Sequence, residues 1–327
     1  MSNFNNVNCL DLFSGLGGVA IAATTHGLSP LSVEKDPRNP NFSKLLEINR
    51  KRNYPHSQFL FQSVEEFAES VKIGSTNFQD IKIVHGSPPC QSFSQAHRCM
   101  KGDRPSEGEK DIRAAIAYNQ IIVSVNPDYF TLEQVPEYLG SNSFRAAIAG
   151  LEEKYNIHTI PRLQLSDFGL PQSRIRLFLF AWKKELKALE LPLKEPHRGW
   201  YSTLSGLPSS LIALPREVDG LTTRGALLFK PGKKFTMESC RLSEAPYPTI
   251  LKSHFTDQRG NYRSTSFKYA LDGKCYLVPL RAIARAQGFP DTFALPSLGA
   301  IAGAGIGNAF PPSFYLKFLD YNQIGGK

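Results

Sequence analysis

A thiol, a carboxylate and two guanidinium groups are the parts of this 327-residue chain whose types and spacing could do chemistry. Cys90 follows Val84-His85-Gly86-Ser87-Pro88-Pro89 and precedes Gln91-Ser92-Phe93-Ser94. The apolar run Ile81 to Val84 reads as a buried strand, and two prolines, each with a fixed φ and no N–H, stop it. A cysteine in a stiff loop at a strand end suits a nucleophile, because the loop exposes the thiol and the turn fixes its direction. The bland alternative is a buried loop cysteine that happens to follow prolines. Glu133 ends a second apolar strand, Tyr129 to Leu132, in Glu133-Gln134-Val135-Pro136. Gln172, Arg174 and Arg176 lie two residues apart, so a single strand over 172–180 points all three to one face. Three polar side chains on one face of an otherwise apolar strand call for anionic or polar partners, the other reading being a charged sheet edge.

Other elements must position these groups. Asn8 to Phe13 reads as a strand, Ser14-Gly15-Leu16-Gly17-Gly18 as a glycine turn, and Val19 to His26 as a helix closed by Gly27. Strand, glycine turn and helix open a nucleotide-type cofactor site, where glycine lets the backbone approach a ligand at a helix N-terminus. Leu31 to Glu34 is a second strand whose terminal carboxylate suits two ribose hydroxyls. The glycine spacing is not G-x-G-x-x-G, which counts against a pyrophosphate ligand. Gln58 to Phe61 follows as a strand, then helices over Val64–Val71, Arg113–Val125 and Ser143–Tyr155, with further strands from Arg162 and Gln172. This alternation predicts an α/β fold with a mainly parallel, doubly wound sheet and ligands outside the carboxyl ends of the strands. The glycine turn, Glu34, Cys90 and Glu133 should then share one crevice.

Composition bounds the rest. With 41% hydrophobic and 20% charged residues the chain has ample core for one large domain or two unequal ones. No apolar run is long enough to span a bilayer, and the N-terminus lacks a signal peptide's basic and apolar regions. Five scattered cysteines without Cys-x-x-Cys spacing point to a reducing, cytoplasmic setting with no disulfide framework and no metal site. Net charge is +9, and the stretch from Lys183 to Cys275, with sixteen Lys and Arg against nine Asp and Glu, carries +7 of it. A basic segment beside a neutral one suggests a nucleic-acid-contacting domain beside a catalytic one, against the plainer reading of a solvated basic surface. From Trp182 to about Ala270 the texture is Pro, Gly, Ser/Thr and basic residues, read as loop-rich. A short helix over Arg281–Gln287 and a glycine run, Gly303 to Gly307, lead into a final helix, Ser313 to Tyr321.

In order along the chain, these stretches resemble the DNA cytosine-C5 methyltransferase family of the bacterial type II restriction-modification kind. Phe13-Ser14-Gly15-Leu16-Gly17-Gly18 is similar to its S-adenosylmethionine loop, Pro88-Pro89-Cys90-Gln91 to its catalytic loop, and Glu133-Gln134-Val135 to its Glu-Asn-Val motif. Gln172-Ser173-Arg174-Ile175-Arg176 resembles Gln-x-Arg-x-Arg, and Gln287-Gly288-Phe289-Pro290-Asp291 and Gly307-Asn308-Ala309-Phe310-Pro311 resemble two C-terminal motifs. Three departures stand out. Gln134 replaces the usual Asn, Ser63 stands where an acid usually contacts the adenine amino group, and Arg281-Ala282 replaces an Arg-Glu pair.

The resemblance implies a class I S-adenosylmethionine-dependent fold, with a catalytic domain over 1–182 completed by 300–327 and a target-recognition domain over 183–299. Cys90 would add to C6 of a cytosine flipped out of double-stranded DNA, making C5 nucleophilic. Glu133 would hydrogen-bond N3, Arg176 would hold O2 and Arg174 would orient Glu133. S-adenosylmethionine would be held by Phe13, Gly15, Leu16, Gly18, Glu34, Ser63, Val64, Pro88 and Asn308. Gln91, Ser94, Arg104, Gln172, Arg224, Arg241, Thr249, Arg259 and Arg263 are the nucleic-acid contacts it suggests, and 91–111 reads as a mobile lid. A monomer, with or without a cognate restriction endonuclease, is expected. Two enzyme rivals are a tRNA cytosine-5 methyltransferase, whose Cys-Phe-Thr signature is replaced here by Pro136-Glu137-Tyr138, and an NAD-dependent oxidoreductase, which leaves Cys90 unexplained. A catalytically idle DNA-binding regulator is a third, and the intact Cys90 and Glu133 argue against it.

Overall fold

The computed structural model describes residues 2–4, 6–35, 40–54, 58–74, 76–89, 107–208, 210–212, 225–229, 240–255 and 267–325. The chain divides into two compact units. The first comprises Met1–Leu163, Ile175–Pro192 and Tyr315–Lys327; the second comprises Gln164–Arg174 and Leu193–Phe314. The sequence boundaries at 182 and 299 therefore move: residues 183–192 stay with the first unit, 164–174 join the second, and the C-terminal return begins at Tyr315.

The first unit is built from β1 (Ser2–Asn3), β2 (Cys9–Leu12), α1 (Gly18–His26), β3 (Pro30–Val33), α2 (Pro40–Asn53), β4 (Gln58–Leu60), α3 (Val64–Lys72), β5 (Thr76–Asn77), β6 (Ile83–Gly86), α4 (Glu109–Val125), β7 (Tyr129–Gln134), α5 (Asn142–Ile148) and β8 (Tyr155–Gln164). After β9 (Gln172–Ser173), which belongs to the second unit, β10 (Ile175–Lys183) returns to the first. Its seven-stranded sheet runs β4-β3-β2-β6-β7-β10-β8. The strands from β4 to β7 are parallel, and β10 lies antiparallel to β7 with Phe178 opposite Glu133. The expected α/β class and mainly parallel sheet are present. The carboxyl ends of β3, β2, β6 and β7 consequently line one edge of the sheet, as the doubly wound rule requires.

Local sequence explains most of these elements. Gly17 (φ 86°) and Gly27 (φ 100°) bracket α1 in left-handed conformations that an L side chain adopts only with strain. Its residues Gly18 to Ala23 are all buried, as expected for a small, apolar helix packed on every side. Ser63 opens α3 with a capping box: its Oγ accepts the Glu66 N–H at 3.2 Å and Glu66 Oε2 accepts the Ser63 N–H at 2.8 Å. Val64, Phe67, Ala68 and Val71 then fall on the buried face at helical spacing. The ring of Tyr118 on α4 lies over Gly86, where an added Cβ would come within 2.5 Å of it, and its hydroxyl donates to the Thr131 carbonyl at 2.9 Å. That pair of contacts fixes α4 across β6 and β7.

Four expectations are corrected. Helix α4 begins at Glu109 rather than Arg113, because the Asp111 carboxylate accepts the Gly108 N–H at 3.2 Å and starts the helix there. Glu107, just before it, accepts the N–H groups of Asn142 (2.9 Å) and Ser143 (2.5 Å), so the segment read as a lid ends in fixed structure from Glu107 onward. The helix expected over Ser143–Tyr155 stops at Ile148; Gly150 (φ 71°) turns the chain, and Tyr155 already begins β8. Finally, Gln172 to Phe180 is two strands broken at Arg174, not one, so its three polar residues do not share a strand face.

The second unit is more regular than its composition suggests. β11 (Ser210–Ile212), β12 (Leu227–Phe229), β13 (Cys240–Leu242), β15 (Lys268–Leu271) and β16 (Lys274–Leu277) form an antiparallel sheet in the order β11-β16-β15-β12-β13. β14 (Tyr247–Pro248) pairs parallel with β9. Helices α6 (Leu280–Ala286) and α7 (Gly299–Asn308) follow, and α8 (Pro312–Asn322) carries the chain back to the first unit. The glycine run 303–307 is thus helical, not a lead-in turn. A Cβ on Gly303 would meet the Phe255 ring at 2.2 Å, and one on Gly307 the Leu251–Lys252 backbone at 2.6 Å. Those glycines serve close packing.

Candidate active site

At the end of β2, Phe13 holds φ 58°, a left-handed conformation that is strained for an aromatic residue and is typical of functional turns. The turn after it is tied to β3, because Ser14 N–H donates to the Val33 carbonyl at 3.2 Å and Gly15 N–H to Glu34 Oε2 at 3.0 Å. Among the described residues no atom lies within 4 Å of a Cβ built on Gly15, and Ser14 Oγ is buried without a hydrogen-bond partner. An open glycine, an orphaned hydroxyl and a carboxylate at the next strand end fit a nucleoside carrying a ribose diol. Leu16 and Val64 are buried beside this turn and the start of α3, whereas Ser63 is accounted for by its capping box.

Beneath the turn lies a buried pair that sequence reading missed. Asp11 Oδ2 accepts the Ala20 N–H at 3.2 Å, and Arg50 Nη1 stands 3.8 Å from that oxygen; both side chains are 2% exposed. Burial pushes the Asp11 carboxyl well above the usual carboxylate range, with Arg50 working in the opposite direction.

The carboxylate of the second candidate motif lies along the same sheet edge. Glu133, 5% exposed at the end of β7, has its Oε1 2.8 Å from Nε of Arg176, which also donates to the Ile175 carbonyl. The resemblance gives the Glu133-orienting role to Arg174 and the substrate O2 contact to Arg176; the ion pair seen here belongs to Arg176. Gln134 answers the question posed by its extra methylene. Its Nε2 donates to the Pro88 carbonyl and its Oε1 accepts the Val135 N–H at 2.9 Å, so one amide ties the Pro88-Pro89 turn to the end of β7. Behind these strands His85 Nδ1 meets Thr131 Oγ1 at 2.9 Å, and Thr131 Oγ1 meets the Tyr315 hydroxyl at 3.0 Å. Burial drives the His85 imidazole down to about 3, so the ring stays neutral.

In the second unit the motif residues are held by hydrogen bonds to the surrounding chain. Arg174, 1% exposed, donates to the carbonyls of Ile250 (3.4 Å), Gly307 (3.2 Å) and Ala309 (3.3 Å). Gln172, nominated as a nucleic-acid contact, is fully buried: it donates to the Ala286 carbonyl and Gln287 Oε1, and accepts the Ile250 N–H at 2.8 Å. Gln287 donates in turn to the Ala309 carbonyl, so three separate motifs are knotted by amides. Thr249 donates its hydroxyl to the Ser173 carbonyl at 2.6 Å, and Arg241 donates to the Pro246 carbonyl at 2.8 Å. Asn308, at the end of α7, is exposed. Cys90, Gln91, Ser94, Arg104, Arg224, Arg259 and Arg263 lie outside the described residues.

The chain matches the family model for the C-5 cytosine-specific DNA methylase over residues 7–319. It belongs to that family. The type II methyltransferase M.HindV of Haemophilus influenzae is 26% identical over 316 residues, covering 93% of this chain and 92% of the relative. M1.HphI of Haemophilus parahaemolyticus is 28% identical over 202 residues, which span 60% of this chain and half of that protein's length. An Entamoeba histolytica methyltransferase shares the fold with a TM-score of 0.67 at 15% identity, covering 98% of each chain. The chain is thus a DNA cytosine-5 methylase using S-adenosylmethionine as methyl donor, a reading supported over the tRNA and oxidoreductase alternatives. No described helix is long and apolar enough to cross a membrane.

Proposed function

We propose that this methylase modifies cytosine within a specific double-stranded DNA sequence, as a cytoplasmic monomer of a type II restriction-modification system. The Haemophilus relatives, both named type II methyltransferases, support the last point. Gly15, Glu34 and Val64, with Phe13, Leu16 and Gly18 shaping the turn, would hold S-adenosylmethionine. Bound there, the cofactor supplies an electrophilic methyl group on a sulfonium. The chain's own residues do the rest. Cys90 as thiolate adds to C6 of the extruded base, Glu133 hydrogen-bonds N3 as charge develops in the ring, and Arg176 fixes the direction of the Glu133 carboxylate. C5, now nucleophilic, takes the methyl group; a base then removes the C5 proton and the Cys90–C6 bond breaks, regenerating the thiolate.

The observation that carries this reading is the Glu133–Arg176 pair at the end of β7, beside the Pro88 carbonyl that Gln134 holds. A carboxylate held by an arginine, with the next residue's amide tied to the turn that leads to Cys90, is what the covalent mechanism needs. Cys90→Ser should abolish 5-methylcytosine formation while DNA affinity stays within about threefold. Bisulfite sequencing of treated DNA would report both the loss and, for the wild type, the target sequence; methylation retained by the variant would end the covalent mechanism.

A further inference from the structure

Among the described residues Arg50 is the largest charged side chain buried in the first unit, and none of the family motifs contains it. It lies on α2, with Nη2 donating to Ser32 Oγ on β3 at 2.6 Å, Nη1 3.8 Å from Asp11 on β2, and Cζ 5.6 Å from the Phe59 ring centroid on β4. Its flat end fills the underside of the glycine turn: a Cβ on Gly17 would stand 2.7 Å from Nη1 and 2.8 Å from Cζ. Only glycine leaves that room. The same guanidinium faces the carboxylate that accepts the Ala20 N–H in the first turn of α1.

For stability alone this is a poor arrangement. Among the described residues Arg50 Nη1 has no hydrogen-bond partner, and both members of the pair have left water, so the pair as a whole costs desolvation that a fully apolar pair of similar volume would not. What the arginine provides is position. It supports Gly17 from below, braces three strands, and offsets part of the upward push that burial gives the Asp11 carboxyl.

We infer that Arg50 is a positioning residue for S-adenosylmethionine binding, acting through Gly17 and Asp11 to hold the glycine turn in its ligand-accepting shape. This rests on the assignment of that turn as the cofactor site. It also predicts a selective defect: the donor should bind worse, while DNA binding and the chemical step at saturating donor persist.

The test uses the full chain, with S-adenosylmethionine affinity measured by calorimetry and kcat and both KM values measured by methyl incorporation. Arg50→Met, which keeps the volume and removes the charge, should weaken donor binding by about tenfold or more, with kcat and the KM for DNA within about threefold. Arg50→Lys should recover part of the loss by restoring the charge near Asp11. Ser32→Ala, which removes one hydrogen bond and leaves the fold intact, should weaken donor binding about threefold and decides the matter if Arg50→Met does not fold. Donor affinity unchanged in a folded Arg50→Met or in Ser32→Ala, or equal losses in kcat and both KM values, would overturn the inference. A wild-type protein that binds no S-adenosylmethionine would overturn the cofactor reading instead.

Discussion

Glu133 and Arg176 sit 2.8 Å apart and both are largely withdrawn from water, so neither can be altered without disturbing the other. If Arg176 acts by aiming the carboxylate, the two should behave as one unit. Glu133→Gln is expected to lower kcat by about two to four orders of magnitude, the range for loss of a positioned acid-base group. Arg176→Gln should lower it comparably, and the double variant little further, a non-additivity that single-turnover methyl transfer can measure. Fully additive losses would separate the roles. His85 makes a different residue-scale prediction. Its imidazole falls from 6.5 to about 3 on folding, so the unfolded chain binds the extra proton between those values. The stability contributed by the neutral ring is complete above pH 6.5 and is lost as pH falls towards 3, an effect of about a few kcal/mol at its acid limit. Tm measured across that window should fall with acid, and His85→Asn should flatten the slope; an unchanged slope would assign the acid sensitivity elsewhere.

At the scale of elements, α3 shows how much a few local residues decide. Ser63→Ala removes the half of the capping box that the Ser63 hydroxyl makes with the Glu66 N–H, and a loss of about 1 kcal/mol is expected, seen as a Tm drop of about 2 °C in a chain of this size. No drop would mean the helix start is fixed by packing of Val64 and Phe67 alone. Features of this local kind were legible in sequence: the glycine caps of α1, the strand that stops at Pro88, the carboxylates at the ends of β3 and β7. Each depends on residues within one turn or one strand. The features that were not legible depend on distant partners. Arg50 reads as one more cation in an exposed basic run, Arg50-Lys51-Arg52, until Asp11 and Gly17 are placed against it. Gly303 and Gly307 read as turn residues because nothing local announces the Phe255 ring and the Leu251–Lys252 backbone that require them inside a helix. The break at Arg174 has the same origin. Period-two spacing predicts a continuous strand, but the guanidinium bonds three carbonyls contributed by residues more than seventy positions away, and the chain bends to let it.

For the molecule as a whole, the charge and the second unit's architecture point in one direction. Most of the net positive charge lies between Lys183 and Cys275, in a segment whose antiparallel sheet has its own small core of Leu227, Phe229 and Ala270. A sheet with its own register and core can be exchanged with less damage than a strand of the parallel sheet. The exchange has a constraint, however. Ile250 gives its N–H to Gln172 and its carbonyl to Arg174, and Thr249 gives its hydroxyl to Ser173, so Tyr247 to Ile250 belongs mechanically to β9. A graft that replaces residues 210–242 and 255–277 with the corresponding stretches of a relative of different specificity, while keeping 243–254, should therefore fold. If target recognition resides in those stretches, the methylated sequence should follow the graft, with kcat on the new site within about tenfold of the parent on its own. Extending the graft through 247–250 should lower Tm by breaking the tie to β9, without adding to the specificity change. Bisulfite sequencing of the products reads the first outcome directly, and a folded graft that still methylates the parental sequence would move recognition out of this segment altogether.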